Sequence, residues 1–103
     1  MEIADRIANL KSRVRDGVSP AMATPLVPGT HTVNLAVVPQ LVNFLADKGV
    51  KGLFIGGTTG EGTQLDLGQR EALHEAAAVA ADGRVAVLIS VGAQRTDEAV
   101  RLT

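Results

Sequence analysis

Apolar residues recur at helical spacing from the start of the chain: Ile3, Ile7, Leu10 and Val14, with Arg6, Lys11, Arg13 and Arg15 elsewhere on the surface. This predicts an amphipathic helix over residues 2–15 with a solvated charged face, ended by Asp16-Gly17. The pattern then changes. Val18 to Leu26 carries Val18, Ala21, Met22, Ala23 and Leu26 around Pro20 and Pro25. It predicts a first strand of about five residues, closing near Thr24-Pro25, where a residue without an amide donor is tolerated. Pro28-Gly29 signals a turn. Leu35, Val38, Val42 and Leu45 share a second helical face. Asn34 is a candidate N-cap for it. Pro39 in a helix interior would cost about 3 kcal/mol, so regular helix is expected to begin near Pro39. Lys48 and Gly49 end it, a cation in the last turn followed by a C′ glycine.

Leu53, Phe54 and Ile55 form a short apolar run between glycines. Such a run predicts a strand buried on both faces, as in a parallel sheet. A polar, glycine-rich turn follows, Gly56-Gly57-Thr58-Thr59-Gly60-Glu61-Gly62-Thr63. Asp66-Leu67-Gly68-Gln69 then reads as a capping box. Leu73, Ala76, Ala77 and Ala80 supply the apolar face of the next helix, and Arg70, Glu71, His74 and Glu75 its wet face. Asp82-Gly83 stops it. Val85, Val87, Leu88, Ile89 and Val91 predict a third buried strand ending at Gly92, and Thr96 with Asp97 and Glu98 opens a further helix. The predicted order is one helix and then three βα units: an N-terminal helix over residues 1–16 and an α/β domain over 17–103. Alternation of this kind calls for a parallel sheet.

Composition narrows the picture. The chain has 103 residues, which bounds it to one domain at most. Hydrophobic residues make up 46%, enough for a core, and Phe44 and Phe54 are its only aromatics, so that core is aliphatic. A formal net charge of −1 gives no electrostatic case for nucleic acid or an anionic membrane. No stretch nears the ~18 apolar residues of a membrane span. The N-terminus has no apolar signal-peptide core. Without cysteine, disulfides and thiolate metal sites are excluded. The expected setting is cytoplasmic.

The candidate chemistry lies in the glycine-rich turn. Strand, Gly/Thr loop, helix is where α/β proteins place small-ligand sites, beyond the carboxyl ends of the strands. The loop is not a Walker A sequence, because Gly62 is followed by Thr63 instead of lysine. A G-x-G-x-x-G fingerprint fails too: Gly60-Glu61-Gly62 leads into Thr63-Gln64-Leu65. Thr58 and Thr59 could serve only to satisfy loop backbone groups. Glu61 could be an acid–base group; the favoured reading is structural, bonding backbone donors near the helix start. His31 and His74 lack acidic companions and are read as surface histidines, so no metal site is expected.

Five landmarks in order carry a resemblance: Ala23-Thr24-Pro25, Gly49 to Leu53, Gly57-Thr58-Thr59-Gly60-Glu61, Leu65 to Glu71 with Gly83-Arg84-Val85, and Thr96-Asp97-Glu98-Ala99. From about Gly17 to Thr103 the chain resembles the N-terminal part of the dihydrodipicolinate synthase / N-acetylneuraminate lyase family. The resemblance implies a (β/α)8 TIM barrel and class I aldolase-type chemistry: a lysine forms a Schiff base with a 2-oxo acid, usually pyruvate, and no cofactor is needed. It implies that Thr58 and Thr59 bind the carboxylate, that Thr58 also serves in a catalytic hydroxyl relay with tyrosines, and that the full-length parent is a homo-oligomer.

The departures are as informative. Such a barrel takes about 250 residues, so the chain is expected to be a truncated barrel of about three βα units. It contains no tyrosine, and its lysines are Lys11, Lys48 and Lys51, none placed for the Schiff base. Two classes stay open: a piece of a lyase or aldolase that supplies part of the substrate pocket, or a non-catalytic βα module that packs on itself or on a partner chain.

Overall fold

The computed structural model describes residues 2–103. Its elements are α1 (Ile3–Asp16), α2 (Val38–Asp47), β1 (Gly52–Ile55), α3 (Leu67–Ala81), β2 (Ala86–Ile89) and α4 (Thr96–Leu102), with a short 3₁₀ turn at Gly62–Gln64. The α/β class and the βα alternation expected from the sequence are present. β1 and β2 pair in parallel, with Phe54 opposite Leu88 and Ile55 opposite Ile89.

The first predicted strand is reduced to a single parallel bridge, Ala21 to Phe54. The Phe54 amide donates to the Pro20 carbonyl and the Met22 amide to the Phe54 carbonyl, both at 2.9 Å. One pair earlier, the Gly52 amide reaches the Val18 carbonyl at 3.3 Å. The bond that would extend the ladder needs an N–H on residue 20, and proline has none. Pro20 therefore shortens the first βα unit's strand from within.

The core lies between β1 and the helices α2 and α3. Leu53, Ile55, Leu73, Val38 and Val42 are its largest fully buried side chains. Burial of each contributes about 1.5–3 kcal/mol. β1 is not buried on both faces as its sequence predicts: Leu53 and Ile55 are at 0% exposure, but Phe54 is 37% exposed. The period-2 alternation of a strand sends Phe54 to the face away from α2 and α3.

α2 carries Pro39 in its first turn, as expected. Asn34 does not cap it. Val37 is the N-cap, and the Asn34 carbonyl instead accepts from the Val37 amide at 3.1 Å in a preceding turn. Gly49, at φ +90°, closes the helix. The capping box of α3 forms by half. Asp66 Oδ1 accepts from the Gln69 amide at 2.8 Å, but Gln69 Oε1 accepts from the Val33 amide at 2.7 Å, tying the loop before α2 to α3. α1 forms with none of its residues buried. Arg13 Nη1 donates to the Gly83 carbonyl at 2.7 Å, while Ile7, Leu10 and Val14 all stay more than 40% exposed. No helix among the described residues is long and apolar enough to cross a membrane.

Candidate functional site at the carboxyl ends of the strands

Three segments leave the sheet at the same end. The loop after β1 is braced by the neighbouring first segment and by its own amides. Thr24, just beyond the Ala21 bridge, donates its hydroxyl to the Gly60 carbonyl at 2.5 Å. The Gly62 amide returns to the Gly57 carbonyl at 3.1 Å, and the Glu61 amide to the Thr58 carbonyl at 3.1 Å. After β2, Arg70 from α3 donates Nη1 to the Gly92 carbonyl at 2.7 Å and Nη2 to the Ser90 carbonyl at 2.9 Å. One buried guanidinium thus fixes where β2 ends.

The glycines of the loop have separate reasons to be glycine. Gly56 sits at φ +71°, which a side chain rarely adopts. At Gly62 a Cβ would run into the Gly56 carbonyl, so backbone passes backbone without room for a side chain. Glu61 adopts the left-handed region at φ 55° and makes no side-chain cap bond. The expectation that its carboxylate bonds backbone donors is therefore overturned; its exposed side chain leaves the backbone bracing to the neighbouring amides.

Thr58 and Thr59 lie at the tip, both exposed, beyond the carboxyl end of β1. The lysines are elsewhere. Lys11 is on α1, Lys48 caps the end of α2, and Lys51 immediately precedes β1, at the opposite end of the strand from the threonines. His31 is exposed. His74 is not a surface residue: it is 8% exposed, and Arg70 is 3% exposed. The sequence pattern places both on a wet helix face. The readable signal was the stripe Ala77, Ala81, which continues backwards at helical spacing through His74 to Arg70 and faces the sheet. Burial and the neighbouring Arg70 charge hold the His74 imidazole below the usual histidine range, against a smaller opposing effect of Glu71. Glu71 is itself shifted down, chiefly by its hydrogen bond from Arg101. Thr24 also escaped sequence reasoning as a loop clamp, since its segment carries the alternation of a strand.

A depression of about 1020 Å³ is lined by Thr63, Leu65, Arg70, Gly92 and Arg101, beside the loop and not over it. The threonine tip stands on an open sheet end. A pocket there needs more walls than these strands provide, so concavity is a poor guide to the chemistry. Among the described residues no group of three or more His, Cys, Asp or Glu side chains could hold a metal ion.

Residues 15–103 match the dihydrodipicolinate synthetase family. The chain belongs to that family. Within it, the chain is 49% identical over 71 residues to a probable 2-dehydro-3-deoxy-D-pentonate aldolase, YjhH, of Escherichia coli K12, covering 69% of this chain and 24% of that protein. Its fold superposes on N-acetylneuraminate lyase from Mycoplasma synoviae with a TM-score of 0.79 at 33% identity, covering 84% of this chain and 30% of the lyase. It is similar also to YagE, a prophage protein of E. coli K12 in this family, whose structure is a complex with pyruvate: TM-score 0.77, 31% identity, 84% and 28% coverage. The chain therefore spans less than a third of the length of these family members. Its fold is the corresponding piece of their TIM barrel.

Proposed function

We propose that this chain supplies the carboxylate-binding loop of a Schiff-base-forming lyase or aldolase acting on pyruvate or another 2-oxo acid. Thr59 anchors the carboxylate; Thr58 binds it and relays protons through its hydroxyl. The observation that carries the reading is the placement of Thr58 and Thr59: exposed, adjacent, and held at the carboxyl end of β1 by a glycine loop braced through Thr24. That end of the strands carries the chemistry in barrels. A carboxylate wants hydroxyl and amide donors, and two threonines in a turn present both. Pyruvate in the YagE complex supports the choice of acid. In this reading the Schiff-base lysine and the relay tyrosines lie outside these 103 residues, no cofactor is required, and the complete enzyme is a cytoplasmic homo-oligomer.

The test compares two ketones. Amide exchange of the peptide containing Thr58 and Thr59 is followed by mass spectrometry with pyruvate and with acetone, which lacks the carboxylate. Pyruvate is expected to slow exchange there, acetone not, and Thr59→Val to weaken the effect. No response to pyruvate, or an equal response to acetone, contradicts the proposal. Borohydride added to the pyruvate mixture is expected to leave the chain's mass unchanged. A specific single-pyruvate adduct on Lys11, Lys48 or Lys51 would show that the chain carries its own Schiff-base lysine.

A further inference from the structure

His74 is the buried titratable group that the proposed chemistry does not use. It is 8% exposed, and its Nε2 is buried without a hydrogen-bond partner. It lies against the root of the loop: a Cβ built on Gly56 would sit 3.3 Å from His74 Nε2. The imidazole occupies the space that a side chain at residue 56 would otherwise take. Gly56 in turn is the floor of the loop. The Cβ position of Gly60 is 3.2 Å from the Gly56 nitrogen, and that of Gly62 falls on the Gly56 carbonyl. A shift of Gly56 is therefore passed to both later glycines, and Thr58 and Thr59 lie between Gly56 and the first of them, Gly60.

Protonation changes what this contact can tolerate. A neutral imidazole has one bare nitrogen, whereas an imidazolium carries a proton on both. A charged ring with a buried N–H and no acceptor costs much more than a neutral one. The surroundings offer little compensation. β1 and β2 contain no titratable side chain, and α2 contributes only Asp47. The charges acting on the ring come from α3 itself, Arg70 disfavouring protonation and Glu71 favouring it. Glu71 is engaged by Arg101 of α4. Glu61, the acid within the loop, is exposed.

We propose that His74 is a positioning residue for the Gly56–Gly62 loop, seating the loop root while its imidazole is neutral and releasing it on protonation. The inference concerns the loop assigned above to carboxylate binding, but its test needs no ligand. Amide exchange is measured on the chain at about pH 7.5 and pH 5.5, on either side of the ordinary histidine value, with the known pH dependence of intrinsic exchange removed. One linked proton allows a change of about tenfold per pH unit at the steepest. The loop peptide is expected to lose about tenfold in protection at the lower pH, and to exchange faster than the peptide of α2 at both values because it opens without unfolding that helix. His74→Gln and His74→Leu, which fill the site without titrating, are expected to keep the loop equally protected at both values. A loop indifferent to pH in the wild-type chain overturns the proposal. So does a loop that exchanges no faster than α2 at either pH, which reports general unfolding, or a loss of the same size in both variants. Protection by pyruvate at the higher pH reports separately on the carboxylate reading, so either proposal can fail alone.

Discussion

The two faces of β1 have different fates. Leu53 and Ile55 point to one face and are at 0% exposure under α2 and α3. Phe54, between them, points to the other and is 37% exposed; its neighbours across the sheet are Leu88 and the exposed Ala21. All three residues of the apolar run suit a buried strand equally well. What separates them is the number of layers present. A βα unit brings a helix for one face, whereas the other face of a barrel strand is covered only when further strands close the circle. The covered face accounts for the stability of this piece, and the open face for its incompleteness.

The largest expected effect comes from breaking the covered face. Leu53→Ala should cost about 2–5 kcal/mol, as for a buried leucine replaced without collapse of its site. Phe54→Ala, one residue along the same strand, should cost only about 1 kcal/mol because much of its ring already meets water. Urea midpoints read from helical circular dichroism give both values. Equal losses would mean that the open face is covered in solution.

The open face predicts self-association. β2 presents an unpaired edge beside exposed apolar side chains, a template for pairing with another copy. Sedimentation should show a mass that rises with concentration. Leu88→Asp should move that rise to about tenfold higher concentration, the equivalent of about 1.4 kcal/mol. A sharp monomer at all concentrations, with a cooperative melt, would show that the open face needs no cover.

The smallest effect is the pH dependence of the covered face. His74 is held below its ordinary value, so the unfolded chain takes up a proton that the folded chain refuses. The associated stability is complete above about pH 6.5 and declines as pH falls toward the lowered folded value. The melting temperature should drop between about pH 7.5 and pH 5.5, and His74→Gln should flatten the drop. An unchanged slope in the variant would assign it to other groups.

What the sequence revealed follows the same division. Element type and order could be read because hydrophobic period and turn residues are local properties. α2 begins at Val38 with Pro39 in its first turn, and Asp66 caps α3 as its spacing implied. The partners of side chains could not be read so directly. Gln69 spends its side chain on the Val33 amide, a contact across 36 residues, instead of completing a local capping box. Arg70 and His74 look like surface residues by type, yet they face the sheet, where the Ser90 and Gly92 carbonyls occupy the guanidinium. The first strand fails at Pro20 because the ladder's register makes that particular amide the one required. Thr58 and Thr59 stand out by their loop and by family resemblance, and they lie beyond the carboxyl end of β1.

Thr58 and Thr59 are proposed to hold a 2-oxo acid, with separate duties. The most direct test places this chain's segment into the probable aldolase YjhH of E. coli, in place of its matching residues, and measures steady-state kinetics. Thr59→Val should chiefly raise KM, by the equivalent of about 1.5–3 kcal/mol for a hydrogen bond to a charged group. Thr58→Val should chiefly lower kcat, by roughly 10²–10⁴-fold, and Thr58→Ser should recover much of that loss by restoring a hydroxyl. Equal impairment of Thr58→Val and Thr58→Ser, with KM for the 2-oxo acid unmoved by Thr59→Val, would contradict the claim and leave the pair as loop packing.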